Sequence, residues 1–178
     1  MKELSLNILD IAGNSVKAGA SLVTISVVES GRQLTIEIID NGCGMNSEQL
    51  AHLKDPFFTT RTTRKVGLGV PLLKLAAEQT GGSVTVSSVP ESESPDHGTV
   101  VRAVFYKDSI DFTPLGDLAE TMVTLIQGSP DMDFVFDHIV DDKQVHLDTR
   151  ELRSILGDVS LSSYEVLEWI SDYLHEQY

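Results

Sequence analysis

The stretch Leu34-Thr35-Ile36-Glu37-Ile38-Ile39-Asp40-Asn41-Gly42-Cys43-Gly44-Met45 decides the fold. Its first six residues are rich in β-branched types and read as a strand. The strand stops on a carboxylate followed by glycines at alternate positions, which let a backbone turn tightly and come close to a ligand. An Asn-Gly pair also suits a plain hairpin turn, but no alternating strand follows Met45. A carboxylate facing the glycines can accept a hydrogen bond from the exocyclic amine of adenine, where guanine presents an acceptor oxygen. A hydrogen bond to a charged group is worth about 1.5–3 kcal/mol, enough to select ATP over GTP. Cys43, between the two glycines, is expected to be a small buried filler.

Upstream, Leu22 to Val28 forms a second β-branched run, and Glu29-Ser30-Gly31-Arg32 turns it into the first as an antiparallel hairpin. Before it, Leu4 to Lys17 has helical spacing: Leu4, Ile8, Ile11 and Ser15 fall on one side. Asp10 and Asn14 stand four residues apart on this helix, one turn apart on the same face. A carboxylate beside a carboxamide suits magnesium, which takes few protein ligands and completes its octahedron with water and phosphates. Polar pairs at this spacing are also common on solvated helix faces.

Downstream, a short helix from Ser47 to about Leu53 precedes an aperiodic loop, Lys54 to Val66. Loops of that length inside compact domains are usually functional or disordered. Gly67-Leu68-Gly69 then leads into a helix that opens near Pro71 and ends at Gly81-Gly82. Free amides at a helix N-terminus favour an anionic phosphate. Arg61, Arg64 and Lys65, the densest cationic cluster in the chain, stand just before it. Val84 to Val89 and Thr99 to Phe105 read as two more strands, the second preceded by Gly98-Thr99. The expected fold is a two-layer α/β sandwich, with helices on one face of a mixed, mostly antiparallel sheet.

Taken in order, these elements resemble the motif set of the GHKL ATPases, the class that contains histidine-kinase catalytic domains, gyrase and MutL. Asp10 to Ala20 is similar to the N-box, in a wording close to the MutL version. Asp40 to Gly44 resembles the first glycine box, and Asp55-Pro56-Phe57-Phe58-Thr59-Thr60 the phenylalanine box of histidine kinases. Gly67-Leu68-Gly69 resembles the second glycine box, and Gly98-Thr99 the motif on the closing strand. The resemblance implies a Bergerat-type ATP site. In it Asn14 would ligate magnesium and Asp40 would bind the adenine amine. Gly42, Gly44, Gly67, Leu68 and Gly69 would give the nucleotide backbone access, and Thr99 would support the adenine contact through water. Arg61, Arg64 and Lys65 would meet the phosphates, residues 54–66 would form an ATP lid, and Asp10 would stand where the family places a general base. Asp10 is one methylene shorter than the glutamate of the hydrolysing branch, so slow hydrolysis or none is expected of the isolated chain.

Function beyond ATP binding is read from the same resemblance. No phospho-accepting histidine motif surrounds His52, His97, His138, His146 or His175, so autophosphorylation is not expected. The leading reading is a regulatory module whose lid closes on magnesium-ATP and alters contact with a protein partner. The whole chain resembles small stand-alone ATP-binding proteins of anaerobic bacteria, some encoded beside iron-hydrogenase subunits, which points to a redox or hydrogenase complex or a signalling protein as partner. The alternatives are a serine/threonine kinase of the anti-sigma-factor type and a histidine-kinase catalytic domain acting in trans.

The resemblance covers residues 1–106, and the charge changes at the same place. Residues 1–106 carry 9 Lys+Arg against 11 Asp+Glu, net −2; residues 107–178 carry 4 against 16, net −12; together they make the −14 of the whole 178-residue chain. An expected boundary near residue 107 therefore separates an ATP-binding domain from a small acidic α+β appendage. Within the appendage, Pro114 to Ile126 reads as a helix, Phe134 to Phe136 and Gln144 to His146 as short strands. Two further helices are signalled by Asp148 with Glu151 and by Ser162 with Glu165, each pair spaced as a capping box. Trp169, with Val166, Ile170 and Tyr173, makes an apolar helical face expected to be core. Such negative charge disfavours nucleic acid. No apolar run approaches the roughly 18 residues that span a bilayer, no signal-peptide pattern opens the chain, and one cysteine supports no disulfide framework. A cytoplasmic protein is expected.

Overall fold

The computed structural model describes residues 3–54 and 69–178. In chain order the elements are α1 (Leu4–Lys17), β1 (Leu22–Ser30), β2 (Gln33–Asp40), α2 (Ser47–Lys54), α3 (Gly69–Gln79), β3 (Ser83–Val89), β4 (Gly98–Tyr106), α4 (Leu118–Gly128), β5 (Asp133–Val140), β6 (Lys143–Asp148), α5 (Thr149–Leu156) and α6 (Tyr164–Gln177). The strands form one sheet in the order β3-β4-β2-β1-β5-β6. Every neighbouring pair is antiparallel except β1 with β5.

Strand alternation sorts the residues onto two faces. Read across the register, Val86, Val101, Ile38, Ile25, Phe136 and Leu147 form one row, all buried. The adjacent row on the other face, Thr85, Arg102, Glu37, Ser26, Asp137 and His146, is polar. The buried face packs under the helices and the polar face meets solvent, which is the two-layer α/β sandwich expected from the sequence. α1 supplies Leu4, Ile8 and Ile11 to the core and α3 supplies Leu73 and Ala77, all at most 3% exposed.

The charge boundary near residue 107 is not a gap in the packing. β5 runs parallel to β1 along eight register pairs, from Leu22 with Asp133 to Glu29 with Val140. The residues buried on both sides of the boundary belong to one hydrophobic cluster. The linker also returns to the start of the chain: the Leu4 and Ser5 amides donate to the carbonyls of Pro114 and Leu115 at 2.8 Å each. These bonds satisfy two of the free amides at the N-terminus of α1.

Boundaries moved where caps decide them. α4 starts at Leu118 rather than Pro114, because Asp117 caps it by accepting from the Glu120 amide. Asp148 caps α5 as expected, accepting from the Arg150 amide, whereas α6 begins after Ser163 and not after Ser162. α2 gains an unforeseen reciprocal cap: the Gln49 amide donates to Asn46 Oδ1 at 2.8 Å and the Asn46 amide to Gln49 Oε1 at 2.9 Å.

Candidate nucleotide site

β2 ends on Asp40 with its side chain on the helix-facing side, in the row Ser88, Thr99, Asp40, Val23, Phe134. α1 passes above this row and sets Ser15 against it. Ser15 Oγ donates to Asp40 Oδ2 at 2.6 Å, and the Gly42 amide donates to Asp40 Oδ1 at 2.9 Å. Both carboxylate oxygens are thus oriented by a donor, and each has a further lone pair to which no donor among the described residues is bonded. Beside them, the Ser88 and Thr99 hydroxyls lie 2.8 Å apart, and the Met45 amide donates to Ser88 Oγ at 2.8 Å.

Ser15, Asp40, Met45 and Thr99 open onto a cavity of about 260 Å³. Its apolar walls include Ile11, Ile38, Met45, Val70 and Val101; its polar lining includes Asn14, Ser15, Lys17, Asp40 and Thr99. A larger hollow of about 560 Å³ lies on the open face and shares Asp40 and Thr99 with the first, but Asn14 does not line it. The smaller cavity is the one that gathers the sequence candidates.

Asn14, Asp40, Gly44 and Thr99 line the cavity; Asp10 is exposed and is not among the lining residues. Gly69 opens α3 against α1: a Cβ there would stand 3.4 Å from Asp10 Cβ and 4.0 Å from Asn14 Nδ2. Arg61, Arg64, Lys65, Gly67 and Leu68 lie outside the described residues, as do residues 55–60 and the rest of the expected lid beyond Lys54.

One expectation changes. Cys43 is exposed, not a buried filler, because its own backbone makes the packing contacts: its amide donates to Ala18 and its carbonyl accepts from Glu91. The glycines beside it make room for protein backbone. A Cβ on Gly42 would come within 2.8 Å of Ala18 Cβ, and one on Gly44, at φ +72°, within 1.9 Å of the Val89 carbonyl oxygen. His97 also ties the β3–β4 connection to this loop, its Nδ1 donating to the Gly42 carbonyl.

Sequence reasoning missed Ser15 and Lys17, which line the cavity, and Ser88, which holds Met45 and Thr99 from outside it. Ser15 carried a signal, since it is a polar residue on the apolar stripe of α1. Lys17 had one too, standing three positions after Asn14. Ser88 had none, because its partners are 10, 11 and 43 residues away.

The family described as "Histidine kinase-, DNA gyrase B-, and HSP90-like ATPase" matches residues 1–109. The chain belongs to this family. The signal transduction histidine-protein kinase AfsQ2 of Streptomyces coelicolor is 30% identical over 94 residues, covering 51% of this chain and 18% of the kinase. DNA mismatch repair protein MutL of Chlorobaculum tepidum is 42% identical over 52 residues, 29% of this chain and 8% of that protein. The chain therefore spans less than a fifth of either relative. Among solved structures, the Aquifex aeolicus MutL ATPase domain complexed with ADP has a TM-score of 0.55 at 13% identity, covering 99% of this chain and 70% of that one. At that identity the likeness concerns the fold alone. Among the described residues, no helix is long and apolar enough to cross a membrane.

Proposed function

We propose that this chain is a magnesium-ATP-binding regulatory module of the cytoplasm, whose nucleotide occupancy changes its contact with a protein partner. One observation carries the reading: a carboxylate held by two donors and an asparagine with a lysine three residues on line a single, largely apolar cavity. An adenine fits such a cavity, because its ring takes apolar walls and its exocyclic amine can donate to Asp40. Guanine would set an oxygen against the same carboxylate.

The residues present also suit magnesium. Among the described residues no group of three or more His, Cys, Asp and Glu could hold a metal by itself. Magnesium needs no such group; it takes one or two protein ligands and completes its shell with phosphate oxygens and water. In this reading Asn14 supplies the protein ligand, Lys17 faces the phosphates, and Thr99 backs the adenine contact. The bound ion would neutralise phosphate charge. Asp10 remains the candidate general base of the reading, and its exposure outside the cavity favours slow turnover or none by the chain alone. Residues 107–178 are, in this proposal, a module added to the family's ATP-binding domain, serving the partner rather than the nucleotide.

Titration calorimetry with ATP and magnesium tests the assignment. Asn14→Ala should abolish the magnesium-dependent part of the affinity, and Asp40→Asn should narrow the preference for ATP over GTP. Unchanged ATP affinity in both variants would overturn it.

A further inference from the structure

The two faces of α6 differ in composition and burial. The helix buries Val166, Ile170 and Leu174. On the opposite side Glu165, Glu168, Trp169, Asp172 and Glu176 are all exposed or half-buried and recur at helical spacing. Trp169, the only tryptophan of the chain, is 49% exposed. Its ring stacks on Tyr173 with centroids 4.9 Å apart and planes 13° from parallel. The sequence predicted this tryptophan as core; the helix instead turns it outward.

Four carboxylates share this helix face with the ring, and among the described residues no ion pair joins any of them to a cation. His175, the nearest cationic candidate on the helix, is turned to Asp117 at 3.4 Å. Like charges three and four residues apart weaken a helix, so this arrangement costs the free chain stability. A half-exposed tryptophan pre-ordered against a tyrosine is the kind of anchor that dominates protein interfaces.

The charge identifies the occupant. A second copy would set the same carboxylates against themselves. Nucleic acid and anionic headgroups are repelled for the same reason. We infer that α6 docks a basic segment of another protein, with lysines or arginines paired to Glu165, Glu168, Asp172 and Glu176 and one cation or apolar side chain seated on the Trp169–Tyr173 stack. This names the chemistry of the partner in the function proposed above, yet it needs no nucleotide to be bound.

The test uses the full chain without ATP and a fluorescein-labelled amphipathic peptide with lysines at i, i+4 and leucines between, followed by anisotropy at moderate salt. Binding to the unaltered protein is expected to blue-shift or quench the single tryptophan. Trp169→Ala should weaken it roughly tenfold or more, as truncation of an aromatic anchor does, while Trp169→Tyr should keep most of the affinity. The triple variant Glu165→Gln/Glu168→Gln/Asp172→Asn should lose a similar factor, and its salt dependence should flatten. A control with the same change in charge at sites elsewhere on the surface, Asp131→Asn/Asp141→Asn/Asp142→Asn, should stay within about threefold. No binding to the unaltered protein, an unchanged affinity in Trp169→Ala, or equal losses in the two triple variants would each overturn the inference. Because ATP is absent throughout, none of these outcomes bears on the nucleotide assignment.

Discussion

Replacing Gly44 by alanine separates two roles a glycine can have beside a ligand cavity. If its absent side chain lets a nucleotide approach, the free protein should be indifferent to the change and only binding should suffer. The structure argues for the other role. At φ +72° an L side chain costs about 1–2 kcal/mol. The new methyl carbon would also fall 1.9 Å from the Val89 carbonyl oxygen and 2.6 Å from its carbonyl carbon, which are backbone atoms with no rotamer to change. Relief requires moving the end of β3 from the loop, an overpacking cost of about 1–3 kcal/mol. The sum, about 2–5 kcal/mol, is a large fraction of the roughly 5–15 kcal/mol that holds a domain folded. With a urea slope of about 2 kcal/mol per molar, the denaturation midpoint should fall by about 1–2.5 M with no nucleotide present. Gly13→Ala is the matched control. It lies inside α1, and a Cβ there would meet nothing within 4 Å, so alanine should raise stability by about 0.5–1 kcal/mol. If Gly44→Ala left the free protein within about 0.5 kcal/mol of the parent while abolishing ATP binding, the packing account would be refuted.

Three further expectations follow from single side chains. Ser15→Ala removes a 2.6 Å bond to a carboxylate from a residue only 3% exposed, and should cost about 1.5–3 kcal/mol in urea denaturation at neutral pH; a loss under half of that would place the hydroxyl outside the Asp40 network. Asn7 is fully buried and, among the described residues, neither its Oδ1 nor its Nδ2 has a partner, so Asn7→Leu, an apolar side chain of similar branching, should raise the thermal midpoint, and a clear fall would show that the amide is satisfied. His138 is buried and desolvation depresses its pKa, with Glu29, 3.5 Å away, opposing the shift. The unfolded chain therefore takes up the proton first as pH falls: the stability contribution is complete above about pH 6.5 and is lost as pH drops through the depressed folded value. His138→Gln should flatten the fall in stability between about pH 7 and 5, and an unchanged profile would remove His138 as its source. His175, whose pKa is raised by its bonds to Ser171 and Asp117, acts with the opposite sign at an exposed site.

What could be read from the chain and what could not divide by the range of the interaction. The β1–β2 hairpin was legible because alternation and a turn sit within nineteen consecutive residues, 22–40. The N-box and first glycine box were legible because their spacing is local to α1 and to the end of β2. Three other features depended on atoms distant in sequence. The place of Gly44 is set by Val89, and that of Gly98, where a Cβ would meet the Asp40 carbonyl oxygen at 1.9 Å, is set by β2. Both glycines were visible, but nothing local says whether a ligand or a neighbouring strand occupies the space they leave. The third feature is β5. A parallel neighbour 111 positions away, Leu22 with Asp133, leaves no turn or spacing to announce it. The jump in negative charge near residue 107 predicts a boundary, and across it the apolar residues Phe134 and Phe136, paired with Val23 and Ile25, belong to the same hydrophobic cluster. Charge reports which surface a segment shows to solvent, and burial reports what it is joined to. Here the acidic residues mark the outside of elements such as α6, whose buried Val166, Ile170 and Leu174 belong to the same hydrophobic cluster as Ile38, two residues before Asp40 on β2.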